Sequence, residues 1–269
     1  MSQLLNLSVQ DLQRHRGTAV ALLPVVLPAV YVVYLNLTIR RTTSCSSGQL
    51  NPPPSSGTST AASSPAAAPI TPESLPEEVA ANPGDWVVCY ERVVSRPLSA
   101  SSLVHKLLGH NSNDDASAET PSPLLKTYLR ATYKAFSWTP QAFLIRAMLA
   151  EPDRRASFAA AHIDELEFAR GDVVDGVYAV TSYGRNERRG VEVIELSLDV
   201  PASYRGPPVR GLIMSAIEEG KDGVVFVNET WLWRKKDEKP TLLETGFGRW
   251  FHSLLAGWLI TKGLGGVRK

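Results

Sequence analysis

Cysteine is scarce in this 269-residue chain, which has only Cys45 and Cys89. Two thiols cannot build a disulfide framework, and no Cys or His spacing offers a zinc site. His105 and His110 stand five apart without a third ligand, so no metal site is expected. Nor is one sign of charge in excess, because 28 basic residues face 27 acidic ones for a net charge of +1. No basic stripe with interleaved aromatics is present, so nucleic acid is not an expected partner. A nucleophile elbow and a glycine-rich phosphate loop are also missing. No cofactor is implied. Cys89, inside a strand-like apolar run, reads as a buried free thiol.

Against these absences stands one long hydrophobic run. Gly17 to Leu35, GTAVALLPVVLPAVYVVYL, has no charged residue, with Arg14 and Arg16 before it and Arg40 and Arg41 after it. A run of about 18 apolar residues suffices to cross a bilayer as a helix. Pro24 and Pro28 kink such a helix, which membrane helices tolerate. Tyr31 and Tyr34 sit where an aromatic belt forms. A secretory signal peptide is the rival reading, but the leader is long and no small-x-small cleavage site follows. The expectation is a tail over 1–16 and one transmembrane helix over 17–37, in a single-pass protein of the endomembrane system. The balanced arginines leave its orientation open.

The next stretch, 42–83, has no Lys or Arg and is mostly Pro, Ser, Ala, Thr and Gly. Such a composition buries too little apolar surface to offset its conformational entropy, so a disordered linker is expected. Residues 85–269 then form the folded domain. WVVCYERVV, Trp86–Val94, reads as a strand, and Leu103–Leu108 as a helical piece. In LLKTYLRATYKAFSW, Leu125, Tyr128, Leu129 and Tyr133 lie near helical spacing. A second helix opens at Thr139 as N-cap with Pro140 at its first position, and stops before Pro152. Its Phe143, Ile145, Ala147, Met148 and Leu149 suit a helix buried on most sides.

After Ala161 the apolar period becomes two. The strand candidates are His162–Phe168, Val173–Tyr183, Val191–Val200, Val209–Ile217 and Val224–Trp233. GRNERRG (Gly184–Gly190) and EEGKDG (Glu218–Gly223) read as turns, which makes antiparallel pairs. A C-terminal helix presents Leu243, Phe247, Trp250, Leu254 and Trp258 on one stripe, to rest on the sheet, cover a pocket or lie on a membrane surface.

Strand, long apolar helix, then antiparallel strands: this α+β order resembles the hot-dog fold, a curved antiparallel sheet wrapped around a long helix. FLIRAMLAEPDRRASFAAAHIDELEFARGDVVDGVYAV resembles the helix-to-strand passage of MaoC-like and thioesterase-type hot-dog domains, with the strand-opening histidine at His162 and the Gly-Asp turn at Gly171–Asp172. The Asp…Asn-Pro…His motif of the hydratases is not found. Curved strands closed by a long C-terminal helix equally resemble the helix-grip lipid-binding folds. A hot-dog domain implies a homodimer.

For chemistry, HIDE is the first candidate. On a strand, His162 and Asp164 share a face, so the carboxylate can hold the imidazole tautomer for proton abstraction. Glu229 alternates with Val225, Val227, Trp231 and Trp233, and apolar neighbours raise a carboxyl pKa, which suits a general acid or a buried ion-pair partner. Tyr183, Trp231, Trp233 and Met148 are the substrate-binding candidates. Arg185, Arg188 and Arg189 are a candidate site for a coenzyme A phosphate or a solvated hairpin tip. The function these expectations compose is a membrane-anchored enzyme. It binds a lipophilic acyl, polyketide or terpenoid-like metabolite and dehydrates, isomerises or cyclises it. A non-catalytic lipid-binding module and an acyl thioesterase are the alternatives.

Overall fold

The computed structural model describes residues 26, 29–50, 69–107, 120–186, 190–206 and 208–269. Met1–Arg41 and Thr42–Lys269 are separate compact units. In the first, the described residues are Val26 and a helix, α1, that runs over 29–42 into the first residue of the second unit, with Val30, Tyr31, Val33, Tyr34 and Leu37 exposed. The rest of the expected span, 17–25 and 27–28, lies outside the described residues. Among the described residues no helix is long and apolar enough to cross a membrane.

The second unit is α+β. One curved, wholly antiparallel sheet has seven strands in the order β1-β2-β7-β6-β5-β4-β3. These are β1 (Thr43–Leu50), β2 (Trp86–Ser95), β3 (Val173–Val174), β4 (Tyr178–Asn186), β5 (Val191–Leu198), β6 (Gly211–Gly220) and β7 (Gly223–Lys235). From β4 to β7 the chain runs up and down, and β7 then pairs with β2, so the first long strand lies beside the last. A register shift between Val180 and Ser182 bends β4 against β5, as bulges do.

One sheet face is covered by two helices, α3 (Pro123–Phe136) and α7 (Gly246–Val267). Ser122 caps α3 by accepting from Leu125 N at 3.2 Å, and Leu125, Tyr128, Leu129 and Tyr133 are buried at the expected spacing. α7 uses a different stripe from the expected one. It buries Ala256, Gly257, Ile260, Gly263, Leu264 and Val267 and leaves Phe247 and Trp250 exposed. Small residues win because α7 must approach α3: a Cβ on Gly263 would stand 2.4 Å from the Tyr128 ring and from Thr132 Oγ1.

Two other expectations fail for identifiable reasons. His162–Phe168 is not a strand. Ala160–Glu165 is a short helix, α6, following another, α5 (Pro152–Ala156). The buried residues there begin with Ile163 and Leu166, three apart, which is helical spacing. The second helix, α4 (Pro140–Met148), has the expected Thr139 cap but buries only Ala142, with Phe143, Leu144 and Met148 exposed.

Stretch 42–83 is not linker throughout. Thr43–Leu50 is the edge strand β1, since ladder bonds to β2 need backbone rather than apolar side chains. Residues 51–68 lie outside the described ones. Residues 69–81, ending in α2 (Glu77–Ala81), cross the second sheet face. There Ile70, Leu75 and Val79 join Val88, Leu212, Met214, Trp231 and Trp233 in a smaller core.

Candidate functional site on the second sheet face

Alternation along β2 sends neighbouring side chains to opposite faces. Glu91 points toward α7, and Arg92 toward the face crossed by 69–81. Cross-strand register puts Arg92 opposite Glu229 on β7, and Glu229 opposite Met214 on β6. Arg92 is only 3 % exposed, and its guanidinium is shared by two carboxylates. Nη1 donates to Glu229, and Nη2 donates to Glu218 Oε1 at 2.6 Å. Glu229 also accepts from Trp231 Nε1 at 3.0 Å and Ile70 N at 3.3 Å. Burial pushes the Glu229 carboxyl above the usual range, and Arg92 opposes that rise. Burial likewise works against the Arg92 charge, but its bonds to Glu218 and Glu229 prevail and raise its pKa. Arg92 Nε is buried without a hydrogen-bond partner.

Arg92 and Glu218 line an open cleft of about 560 Å³, and Glu229 holds Arg92 from outside that lining. Ile70, Val191, Val193 and Met214 supply apolar surface, while Glu73, Arg92, Ser182, Asn186, Glu195 and Glu218 supply polar groups. Ile70, Thr71 and Glu73 bring segment 69–81 into the lining, and the segment is pinned by charge. Buried Glu195 accepts from Glu73 N and Ser74 N, both at 2.7 Å, and Ser182 Oγ donates to Glu73 at 2.6 Å. A volume of that size suits a small molecule. Arg185 also lines the cleft, and among the described lining residues Arg92 and Arg185 stand beside the carboxylates of Glu73, Glu195 and Glu218. Arg188 and Arg189 lie outside the described residues. Glu218 can meet a ligand, because its side chain keeps 25 % of its exposure while Arg92 holds it from behind.

Only Glu229, of the three expected catalytic residues, belongs to this place. His162 is exposed on α6, with Nε2 3.4 Å from Val173 O. Asp164 pairs at the surface with Lys134 at 2.6 Å. Two residues apart on a helix are roughly 200° apart around its axis, so the pair no longer shares a face. Tyr183 points to the helix-covered side and donates to Glu192 at 3.0 Å. Trp231 and Trp233 sit in the smaller core beneath the cleft, and Met148 is exposed on α4. Arg92 and Glu218 were missed. The only signal for them was charge inside strand-like text, in CYERV and at the start of EEGKDG.

On the other face a histidine–carboxylate pair does form, from residues not expected to meet. Glu91, 1 % exposed, accepts from His252 Nδ1 at 2.8 Å and Ser253 Oγ at 2.5 Å. The Cys45 thiol donates to Ser253 Oγ at 3.4 Å. Desolvation and the nearby Glu91 charge push that thiol up to about 11, although part of the side chain reaches solvent, so it is not a ready nucleophile. Among the described residues no three His, Cys, Asp or Glu side chains converge as metal ligands do.

Compared with known proteins, the chain matches no family, no curated protein and no solved structure.

Proposed function

We propose that the second unit is an enzyme acting on a lipophilic, oxygen-bearing metabolite of acyl, polyketide or terpenoid type. The reaction is a proton-transfer dehydration, isomerisation or cyclisation that needs no cofactor. The apolar 17–35 run anchors the unit to the membrane in which such a compound dissolves. One observation carries the reading: the half-open Glu218 carboxylate, held at the cleft wall by buried Arg92. Glu218 is the proton acceptor or donor. Arg92 holds it in place and offers positive charge where an enolate or alkoxide develops. Glu229 is a positioning residue, since it keeps Arg92 charged and fixed from below. The architecture favours the helix-grip resemblance. α7 closes the sheet and α3 shares the covered face with it, whereas a hot-dog sheet wraps a single helix.

The test extracts detergent-purified wild type and Glu218→Gln with organic solvent and compares retained small molecules by mass spectrometry and retention time. Turnover predicts a lipophilic compound in both, different between the two. The same compound in both supports the non-catalytic lipid-binding reading. No compound in either protein removes the cleft as a binding site.

A further inference from the structure

The first turns of α7 bury Gly248 and turn His252 and Ser253 toward buried Glu91, but they leave one aromatic face bare. Phe247 is 76 % exposed, Trp250 41 % and Phe251 46 %, and the Phe247 and Trp250 rings lie 5.8 Å apart. At spacings of three and four these side chains share one helix face. Later turns bury Ala256, Ile260 and Leu264 against the core. A contiguous aromatic face left bare on one end of an otherwise docked helix marks an interaction surface.

Two facts select the partner. The first is charge. Gly246–Lys269 contains no Asp or Glu, with Arg249 inside the aromatic stretch and Lys262, Arg268 and Lys269 toward its other end. Aromatic rings beside an arginine are the chemistry of a bilayer interface, and the cation favours anionic lipid. The second is where the chain enters the domain. Cys45 on β1 is bonded to Ser253, one turn beyond Trp250. Thr43, the first residue of β1, is eight residues past Leu35, where the charge-free run ends. The residues between them are helical and span only about 12 Å. If the run lies in a bilayer, the strand beside this aromatic face is tethered to that bilayer.

We propose that Phe247, Trp250 and Phe251, with Arg249, form a docking surface for an anionic bilayer. The proposal rests on the reading of 17–35 as an anchor, and not on the chemistry of the cleft.

The test uses the full chain reconstituted in phosphatidylcholine vesicles, with and without phosphatidylglycerol, carrying brominated acyl chains that quench nearby tryptophan. Wild type and Trp250→Phe are compared. Docking predicts that fractional quenching falls in the variant, and that Trp250 quenching is greater with phosphatidylglycerol. A fraction that is unchanged or higher in the variant, in protein that floats with the vesicles, overturns the docking. Protein that does not float at all overturns the anchor reading instead. A second copy on this face would appear as a detergent-stable dimer that Trp250→Ser splits, with no loss of quenching in Trp250→Phe, and that too overturns the proposal.

Discussion

Arg92 and Glu229 show what an isolated charge in this interior costs. Both are nearly inaccessible, so neither is stable without the other. Arg92→Leu leaves Glu229 buried and unpaired and is expected to cost about 3–5 kcal/mol. Adding Glu229→Leu removes the stranded charge and is expected to recover most of that loss. Urea midpoints of the two single variants and the double variant measure this coupling. Simple addition of the single effects would show that the pair acts independently. Asp175 is a second unusual carboxylate. It is fully buried with φ 45°, Ser137 Oγ donates to its Oδ1 at 2.7 Å, and Oδ2 has no partner. Burial pushes its pKa up to about 7, against the pull of the Ser137 bond. In the unfolded chain an aspartate titrates near 3.9, so the folded state binds the proton more tightly. This group's contribution to stability is therefore full in acid, declines from about pH 4 to about pH 7, and is lost above that. Asp175→Asn tolerates the same positive φ and is expected to flatten this decline. Thermal melts across that range measure it, and an unchanged slope would assign the decline to other groups.

The α3–α7 contact depends on a missing side chain. Gly263→Val drives methyl groups into Tyr128 and Thr132 and is expected to cost about 1–3 kcal/mol. Gly265, in the same helix, has open space around its added Cβ. Gly265→Ala is expected to gain about 0.5–1 kcal/mol from helix propensity. Denaturation midpoints moving in opposite directions would confirm that proximity, not helix content, sets the first value. The same contact explains how much was legible beforehand. The cap at Thr139, the face of α3 and the strands from Val191 to Trp233 follow local rules, and local rules can be read along the chain. The docking stripe of α7 follows α3, which is remote in sequence, so the large residues pointed to the wrong face. HIDE misled because a few residues of alternating polarity fit either period, and the fold took the helical one. Glu229 was read as either an acid or a buried ion-pair partner, and the second description fits its contacts. Arg92 and Glu218 became a site only through pairing across β2, β7 and β6, which no spacing along the chain reveals.

At the scale of the whole molecule, the boundary of the folded unit lies earlier than composition suggests. A domain starting at Asp85 would lose β1 and segment 69–81. That removes the backbone donors held by Glu195 and uncovers the core around Trp231 and Trp233. Val79 is fully buried and worth about 1.5–3 kcal/mol, and the partly buried Ile70 and Leu75 add smaller amounts. Their combined loss is a substantial share of the stability of a typical domain, about 5–15 kcal/mol. A chain beginning at Thr42 keeps all these contacts, while one beginning at Asp85 also leaves β2 as an open edge prone to self-association. The shorter chain is expected to bind a hydrophobic dye, aggregate on heating and unfold at markedly lower urea than the longer one. Equal midpoints would mean that 69–81 rests on the sheet without stabilising it. The cleft would then have one movable wall, and ligand binding rather than folding would have to hold that segment in place.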